Sequence, residues 1–411
     1  MFTEEIINRL TTQQTIELED KFGAHNYHPI PVVIARGEGV YVWDVEGKRY
    51  FDFLSGYSAL NQGHCHPRII AAFIDQAQKL TLTSRAFHNN VFSEFAEYIT
   101  DYFGFDKVLP MNTGAEGVET AIKLTRKWAY MKKGIPEGQA KIIVCEGNFH
   151  GRTTTIVSFS SDPDAFTNYG PYTPGFISIP YNDLDALKEA LKDPHVAGFL
   201  VEPIQGEAGV ILPDDGYLAK SFELCKAANV LFVADEIQTG IARTGKMLAC
   251  DHEGVHPDVL ILGKALSGGT MPVSAVLAND DIMLCIKPGE HGSTYGGNPL
   301  ACRVAKVALE VVKDEKLAEN AAYLGPIFRK EIANIQSDII SIVRGKGLFN
   351  AIEVEPKNGK SPWQFCLELK DNGLLCKPTH GNIIRLAPPL TITEEQLMEA
   401  IGIIKKTARN F

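Results

Sequence analysis

Two short apolar runs each lead into a residue able to do chemistry. Val230–Ala234 runs directly into Asp235-Glu236-Ile237-Gln238, and Val259–Leu262 runs into Gly263-Lys264-Ala265-Leu266-Ser267-Gly268-Gly269. If both runs are parallel strands, the acid and the lysine stand at the carboxyl edge of one sheet, where open α/β folds bind their ligands. A carboxylate there is costly without a positive partner. A lysine among small residues is desolvated, which disfavours its ammonium form and makes the amine a better nucleophile toward a carbonyl. The pair suits pyridoxal phosphate, with Lys264 forming a Schiff base and Asp235 keeping the ring nitrogen protonated. Alone, it leaves open the plainer reading of a solvated loop lysine.

Two further stretches bear on the choice. Lys107–Met111 is followed by Asn112-Thr113-Gly114-Ala115-Glu116 and then by a helical pattern. A strand, a turn of small residues and a helix start present free backbone N–H groups to an anion such as a phosphate. Gly147-Asn148-Phe149-His150-Gly151-Arg152 follows another strand-like run. There an aromatic ring can stack on a flat cofactor, and an arginine can hold a carboxylate through two parallel hydrogen bonds. In isolation these stretches also fit an ordinary capped helix, a core phenylalanine and a surface ion pair.

The elements that must position these residues follow an alternating pattern. Strands are expected at Lys141–Cys145, Ala197–Glu202, Val230–Ala234, Val259–Leu262 and Val273–Leu277, and helices at Glu116–Lys132, Leu184–Leu191 and Tyr217–Ala228. Short apolar runs alternating with amphipathic segments predict an α/β fold with a mostly parallel central sheet flanked by helices. A long helical stretch begins near Ala301, and the composition becomes more charged after Lys313. The expected organisation is an N-terminal segment over residues 1–57, a large α/β domain over 58–311 and a smaller α+β C-terminal domain over 312–411.

The composition is that of a globular protein: 411 residues, 45% apolar and 22% charged. The 40 Lys and Arg against 50 Asp and Glu give a net charge of −10, which argues against nucleic acid or an anionic membrane as the main partner. Eight cysteines without a C-x-x-C pair fit reduced, mostly buried thiols. The acidic start, MFTEEIINRLTTQQTIELED, has neither the apolar core of a signal peptide nor an Arg-rich amphipathic pattern, and a cytoplasmic enzyme is expected. Gly240–Lys246 resembles a phosphate loop, but Met247 stands where the magnesium-binding hydroxyl would be, so the segment is expected to be a Gly-rich surface turn. His64-Cys65-His66 has no partner pair at zinc spacing, and no metal is expected.

Taken together, these stretches resemble the class III pyridoxal-phosphate aminotransferases, a branch of the fold-type-I enzymes, and most closely the members that act on ornithine. The resemblance runs from about Gly23 to Phe411 through GAHNYHPIPV, YFDFLSGYSALNQGHCHP, LTLTSRAFHNN, VLPMNTGAEGVETA, VEPIQGEAGV, ADEIQTGIARTG, GKALSGG, IKPGEHGSTYGGNPL, VRGKGLFNAI, DNGLLCKPTHG and IIRLAPPL. It implies a homodimer with shared active sites that moves the δ-amino group of L-ornithine to 2-oxoglutarate. The products would be glutamate and glutamate-5-semialdehyde, which cyclises to pyrroline-5-carboxylate and links arginine to proline metabolism. Acetylornithine and 4-aminobutyrate are the neighbouring substrate choices within the family. A cofactor-binding dimer without turnover is the alternative outside it.

Residue by residue, the resemblance makes Lys264 and Asp235 catalytic, sets Gln238 near the ring hydroxyl and stacks Phe149 on the ring. Backbone groups of Gly114 and Ala115 would hold the phosphate, helped by Ser293 and Thr294 from the neighbouring subunit. Tyr27 and Arg152 would bind the α-amino-acid head of ornithine, and Tyr57 would line the pocket. Arg385 would bind the α-carboxylate of glutamate or 2-oxoglutarate, with Glu207 masking it in the ornithine half-reaction. Glu202 falls near the cofactor without an assigned role. Two departures stand out: His150 replaces a tryptophan expected in animal enzymes, and Ala115 a larger apolar residue.

Overall fold

The computed structural model describes residues 10–411. The expectation about the acidic start falls partly on residues 1–9, which lie outside the described residues.

The chain opens with helix α1 (Thr12–Phe22) and an antiparallel ribbon of β1 (Ile34–Glu38), β2 (Tyr41–Asp44) and β3 (Arg49–Asp52). Helices α2 (Pro67–Ala77) and α3 (Asn90–Phe103) lead to the central sheet. Its strands are β4 (Lys107–Met111), β5 (Lys141–Cys145), β6 (Phe176–Ile179), β7 (Val196–Val201), β8 (Leu231–Asp235), β9 (Val259–Leu262) and β10 (Ser274–Ala278). They lie in the order β4-β10-β9-β8-β7-β5-β6. The pairs β9–β8, β8–β7, β7–β5 and β5–β6 are parallel, whereas β10 runs antiparallel to both its neighbours. Every residue of β7 (VAGFLV) and β8 (LFVAD) is buried. Such unbroken runs are what a parallel strand covered on both faces demands.

Helices α4 (Gly114–Trp128), α5 (Leu184–Ala190) and α6 (Tyr217–Ala227) make crossovers within this sheet, and α7 (Pro299–Asp314) leaves it. The C-terminal part contains α8 (Leu317–Ala333), β11 (Ile340–Lys346), β12 (Phe349–Val354), α9 (Pro362–Asp371), β13 (Leu374–Leu375), β14 (Lys377–Thr379), β15 (Ile383–Leu386) and α10 (Glu394–Asn410). Strands β11-β12-β15-β14 form an antiparallel sheet, and β13 pairs in parallel with β3 of the N-terminal ribbon. One apolar cluster joins all three sheets, running from Phe51 and Phe53 through Phe199 and Phe232 to Phe328, Phe365 and Phe411. Each such ring contributes roughly 1.5–3 kcal/mol on burial. The N-terminal ribbon and the C-terminal part are therefore joined to the central sheet by a shared core.

Several expectations shift by a residue or two. Helix α4 starts at Gly114 because Thr113 caps it, its hydroxyl accepting the Glu116 N–H while the Glu116 carboxylate reaches back, and it ends in a π-helical turn at Ala129–Lys133. Asp235 is the last residue of β8 rather than the first beyond it. The Gly240–Lys246 segment is not a surface turn. Arg243 within it is fully buried, donating to Asn61 Oδ1 and to the Leu348 and Pro388 carbonyls, and Gly245 packs on Ala322. A long side chain that finds carbonyl acceptors can be buried, which a glycine-rich composition does not reveal. All eight cysteines are free, with only Cys65 exposed. His64 pairs with Asp52 (2.8 Å) and His66 with Glu315 (2.9 Å), so the two histidines diverge.

Candidate active site

The carboxyl ends of β4, β5, β7, β8 and β9 converge on a cavity of about 150 Å³ lined by Gly114, Ala115, Phe149, His150, Gly151, Glu202, Asp235, Ile237, Gln238 and Lys264. A second cavity of about 480 Å³ shares Gly114 and Lys264 with it. Strand register explains the meeting: Asp235 lies opposite Ile261, so Lys264 emerges three residues further along the neighbouring strand. Lys264 adopts left-handed backbone (φ 43°), a conformation that costs about 1–3 kcal/mol in a non-glycine residue and persists only where its surroundings impose it. Burial lowers the Lys264 pKa, against the opposing pull of Asp235 and Glu202, and so raises the share of free amine.

At one end of the cavity, the first turn of α4 is prepared for an anion. The Glu116 carboxylate accepts the N–H groups of Asn112 (2.8 Å) and Thr113 (3.1 Å), and the Thr113 hydroxyl accepts that of Glu116 (3.2 Å). The N–H groups of Gly114 and Ala115 remain unspent within the described residues. The close approach is tight. A Cβ on Gly151, where φ is +129°, would stand 2.9 Å from the Ala115 Cβ.

At the opposite end, Asp235 Oδ1 accepts the Ile237 N–H at 3.1 Å, and Oδ2 lies 2.7 Å from His150 Nδ1. Glu202 accepts the N–H of Phe149 at 2.8 Å and that of Gly206 at 3.2 Å. Its burial raises its pKa to about 7, with the charge of Asp235 adding to the rise and His150 opposing it. Glu202 thus fixes the backbone that presents the Phe149 ring. A Cβ on Gly206 would stand 2.6 Å from Gln238 Oε1, so the glycine leaves room for that amide.

The mouth of the site carries the remaining polar groups. Arg385 is buried; its Nη2 lies 2.9 Å from Glu207 Oε2, its Nη1 donates to Gln238 Oε1 at 3.3 Å, and its guanidinium sits 4.9 Å from the Tyr57 ring centre. Thr379 donates to the Glu207 backbone oxygen at 3.1 Å. Arg152 is exposed, 5.6 Å over the Phe149 ring, and pairs with no carboxylate of the described residues. Tyr57 and Tyr27 line one apolar cavity of about 530 Å³, with Tyr27 itself 68% exposed and Lys377 above its ring.

The fold therefore brings together Gly114, Ala115, Phe149, Asp235, Gln238, Lys264, Glu207, Arg385 and Tyr57, with Arg152 and Tyr27 at the rim. Ser293 lies apart from this cluster, its hydroxyl accepting from Asn112 Nδ2 at 2.9 Å, and Thr294 is exposed. Sequence reasoning missed the contact between His150 and Asp235, the backbone grip of Glu202 and the Asn112–Ser293 link. All three join residues far apart in the chain, and no local spacing marks them.

A cofactor with a phosphate tail, a basic ring nitrogen and an aldehyde needs an anion cradle, an acid and an amine at these three places, and the residues present fit pyridoxal phosphate. The surrounding architecture is that of the fold-type-I pyridoxal-phosphate transferases. Known proteins narrow the class. The family described as Aminotransferase class-III matches residues 22–408. The mitochondrial ornithine aminotransferase of Drosophila melanogaster is 64% identical over 95% of this chain and 90% of its own. Among solved structures, the ornithine aminotransferase of Toxoplasma gondii ME49 superposes with a TM-score of 0.96 at 50% identity, covering 99% of this chain and 97% of that one. The acetylornithine aminotransferase of Elizabethkingia anophelis gives 0.91 at 65% identity, covering 97% and 99%. The chain belongs to the class III aminotransferases, enzymes that work with pyridoxal phosphate.

Proposed function

We propose that the enzyme transfers the δ-amino group of L-ornithine to 2-oxoglutarate, giving glutamate and glutamate-5-semialdehyde. The Glu207–Arg385 pair carries this reading. One pocket must accept a neutral chain beside the reacting amine in one half-reaction and a carboxylate in the other, and an ion pair that opens for the second substrate supplies the difference. Pyridoxal phosphate, when bound, supplies an electrophilic carbonyl and a ring that withdraws electrons. Lys264 is the amine that would engage that carbonyl and, once released, would move the proton at the substrate carbon. Asp235 would pair with the ring nitrogen, Gln238 would lie near the ring hydroxyl, and the Phe149 ring would stack on the cofactor. The Gly114 and Ala115 N–H groups would hold the phosphate, together with Ser293 and Thr294 of a second copy. Tyr27 and Arg152 bind the α-amino-acid head, and Tyr57 walls the pocket.

The assembly we propose is a homodimer, a reading supported by the exposure of Thr294, Tyr27 and Tyr295 in the single chain. The division into residues 1–57, 58–311 and 312–411 and a cytoplasmic location belong to the same proposal, the latter supported by eight unpaired cysteines. No helix of the described residues is long and apolar enough to cross a membrane. The 65% identity to a protein named acetylornithine aminotransferase favours a second reading, in which the α-amine is acylated. The visible spectrum of the holoenzyme separates the two. L-ornithine, added without a keto acid, bleaches the cofactor band, and 2-oxoglutarate restores it while trapped pyrroline-5-carboxylate accumulates. A band that ignores ornithine and answers N-acetylornithine would establish the second reading.

A further inference from the structure

Tyr57 rides on a rare piece of backbone. Ser55, Gly56, Tyr57 and Ser58 have φ of 49°, 56°, 60° and 71°, and the Ala59 N–H donates to the Ser55 carbonyl at 2.9 Å, so the segment closes as one left-handed helical turn. L-residues avoid this conformation because Cβ crowds the following carbonyl oxygen. Ser55, Tyr57 and Ser58 all carry that Cβ, and such a turn persists only where its surroundings impose it. Asp52, the last residue of β3, grips the entry to the turn: its Oδ1 accepts the N–H of Leu54 at 2.9 Å and that of Ser55 at 2.8 Å. Among the described residues no other side chain hydrogen-bonds to the backbone of residues 54–60. Oδ2 lies 2.8 Å from His64 Nε2. His64 is itself fixed, its backbone exchanging hydrogen bonds of 2.8 and 3.0 Å with Gly39. Its ring lies so close to Gly37 that a Cβ there would stand 2.7 Å from Nδ1. Both carboxylate oxygens are therefore engaged inside the protein, one on the turn and one on an anchored ring.

We propose that Asp52 is a positioning residue for substrate specificity: by holding the N–H groups of Leu54 and Ser55 it fixes the left-handed turn that sets the Tyr57 ring against the substrate chain. Without that grip the turn would relax toward the right-handed and extended regions that L-residues prefer. The Tyr57 ring would then leave the cavity it lines and move off Arg385, whose guanidinium sits 4.9 Å from the ring centre. Chain length is the property such a wall reads, since a substrate one methylene longer must push against it. The inference rests on the proposed place of Tyr57 in the pocket of an ornithine enzyme and goes beyond it by naming the group that holds the tyrosine there.

The ratio of kcat/KM for L-lysine to that for L-ornithine is the readout, because the two donors share the α-amino-acid head and differ by one methylene. In the holoenzyme Asp52→Ala should raise this ratio about tenfold, the lower end of what one methylene is worth in a fitted pocket. Asp52→Asn, which keeps an oxygen for both N–H groups, should leave it near the wild-type value. A loss of stability alone would lower both rates in proportion and leave the ratio in place. Tyr57→Ala is the control and should raise the ratio by itself. The double variant Asp52→Ala/Tyr57→Ala should go no higher than Tyr57→Ala, since the clamp acts only through the ring. If Tyr57→Ala leaves the ratio unchanged, the proposed place of Tyr57 in the pocket fails. If Tyr57→Ala raises it while Asp52→Ala does not, if Asp52→Asn raises it as much as Asp52→Ala, or if the two effects add in full, only the clamp fails. Independently of any variant's folding, hydrogen exchange of the wild-type holoenzyme should show the Leu54 and Ser55 amides protected together with those of Ala59 and Leu60. Exchange of Leu54 and Ser55 at the rate of a free loop would overturn the inference.

Discussion

Arg385 on β15 and Glu207 beyond β7 form an ion pair of 2.9 Å across two different sheets, with the arginine buried and the glutamate partly exposed. The exposed partner is the one free to swing away. Among the described residues nothing else carrying charge holds Arg385: its other hydrogen bond goes to the neutral Gln238 amide, and its Nε has no partner there. Removal of Glu207 therefore leaves a buried cation seeking a carboxylate.

Glu207→Ala should change substrate preference rather than abolish activity. The ratio of kcat/KM for L-glutamate to that for L-ornithine should rise about tenfold, since one charge-assisted hydrogen bond contributes roughly 1.5–3 kcal/mol. Steady-state assays with each amino donor measure it, and an unchanged ratio would remove Glu207 from the switch.

Lys264→Ala should lower turnover by about 10³-fold or more, the scale of losing a positioned proton-transfer group together with the nucleophile. Circular dichroism should be unchanged, because the side chain opens into the cavity and supports no helix or strand. A variant with near-normal turnover would refute the assignment of the amine.

The strands around the site were readable in the sequence because buried parallel strands are unbroken apolar runs, and Lys141–Cys145 and Val259–Leu262 match residue for residue. The turn at Asn112–Glu116 was readable because small residues there separate an apolar strand from a helical pattern, whereas the capping box that starts the helix at Gly114 is a finding of the structure. The reversed direction of β10 was not readable, since an apolar strand carries no mark of its direction. Nor was the burial of Arg243, which depends on acceptors at Asn61, Leu348 and Pro388. The pairing of β13 with β3, some 320 residues apart, likewise belongs to packing and not to local pattern. The same holds for His150: its type was conspicuous beside Phe149, but its partner was not.

In the proposed reaction Tyr27 would set the choice between substrates with and without a free α-amine. Tyr27→Ile should cut kcat/KM for L-ornithine about tenfold or more relative to 4-aminobutyrate, as expected when a hydrogen-bonding group meant for a substrate amine is lost. Paired kinetics with the two donors check this. Equal losses on both would leave the tyrosine as part of the wall only.

Glu202 offers a prediction that needs no substrate. Burial raises its pKa from 4.5 to about 7 in the folded protein, the charge of Asp235 adds to the rise, and His150 and two backbone N–H groups oppose it. In the unfolded chain it titrates near its ordinary value. Below about pH 4.5 both states hold the proton; between about 4.5 and 7 only the folded state does; above about 7 neither does. The unfolded state thus binds fewer protons within that window, so stability falls as pH rises through it. The group's share of that fall is on the order of 3 kcal/mol, since each unit of pKa difference corresponds to about 1.4 kcal/mol. Glu202→Gln keeps the size of the side chain and an oxygen for the Phe149 or Gly206 N–H but cannot ionise. Urea denaturation of the apoenzyme at a series of pH values should show the wild type losing stability relative to Glu202→Gln between about pH 4.5 and 7, and running parallel to it above. Parallel curves across the whole range would mean that Glu202 is already charged in the folded protein at acid pH. The two N–H groups and His150 would then fully offset its burial and the charge of Asp235.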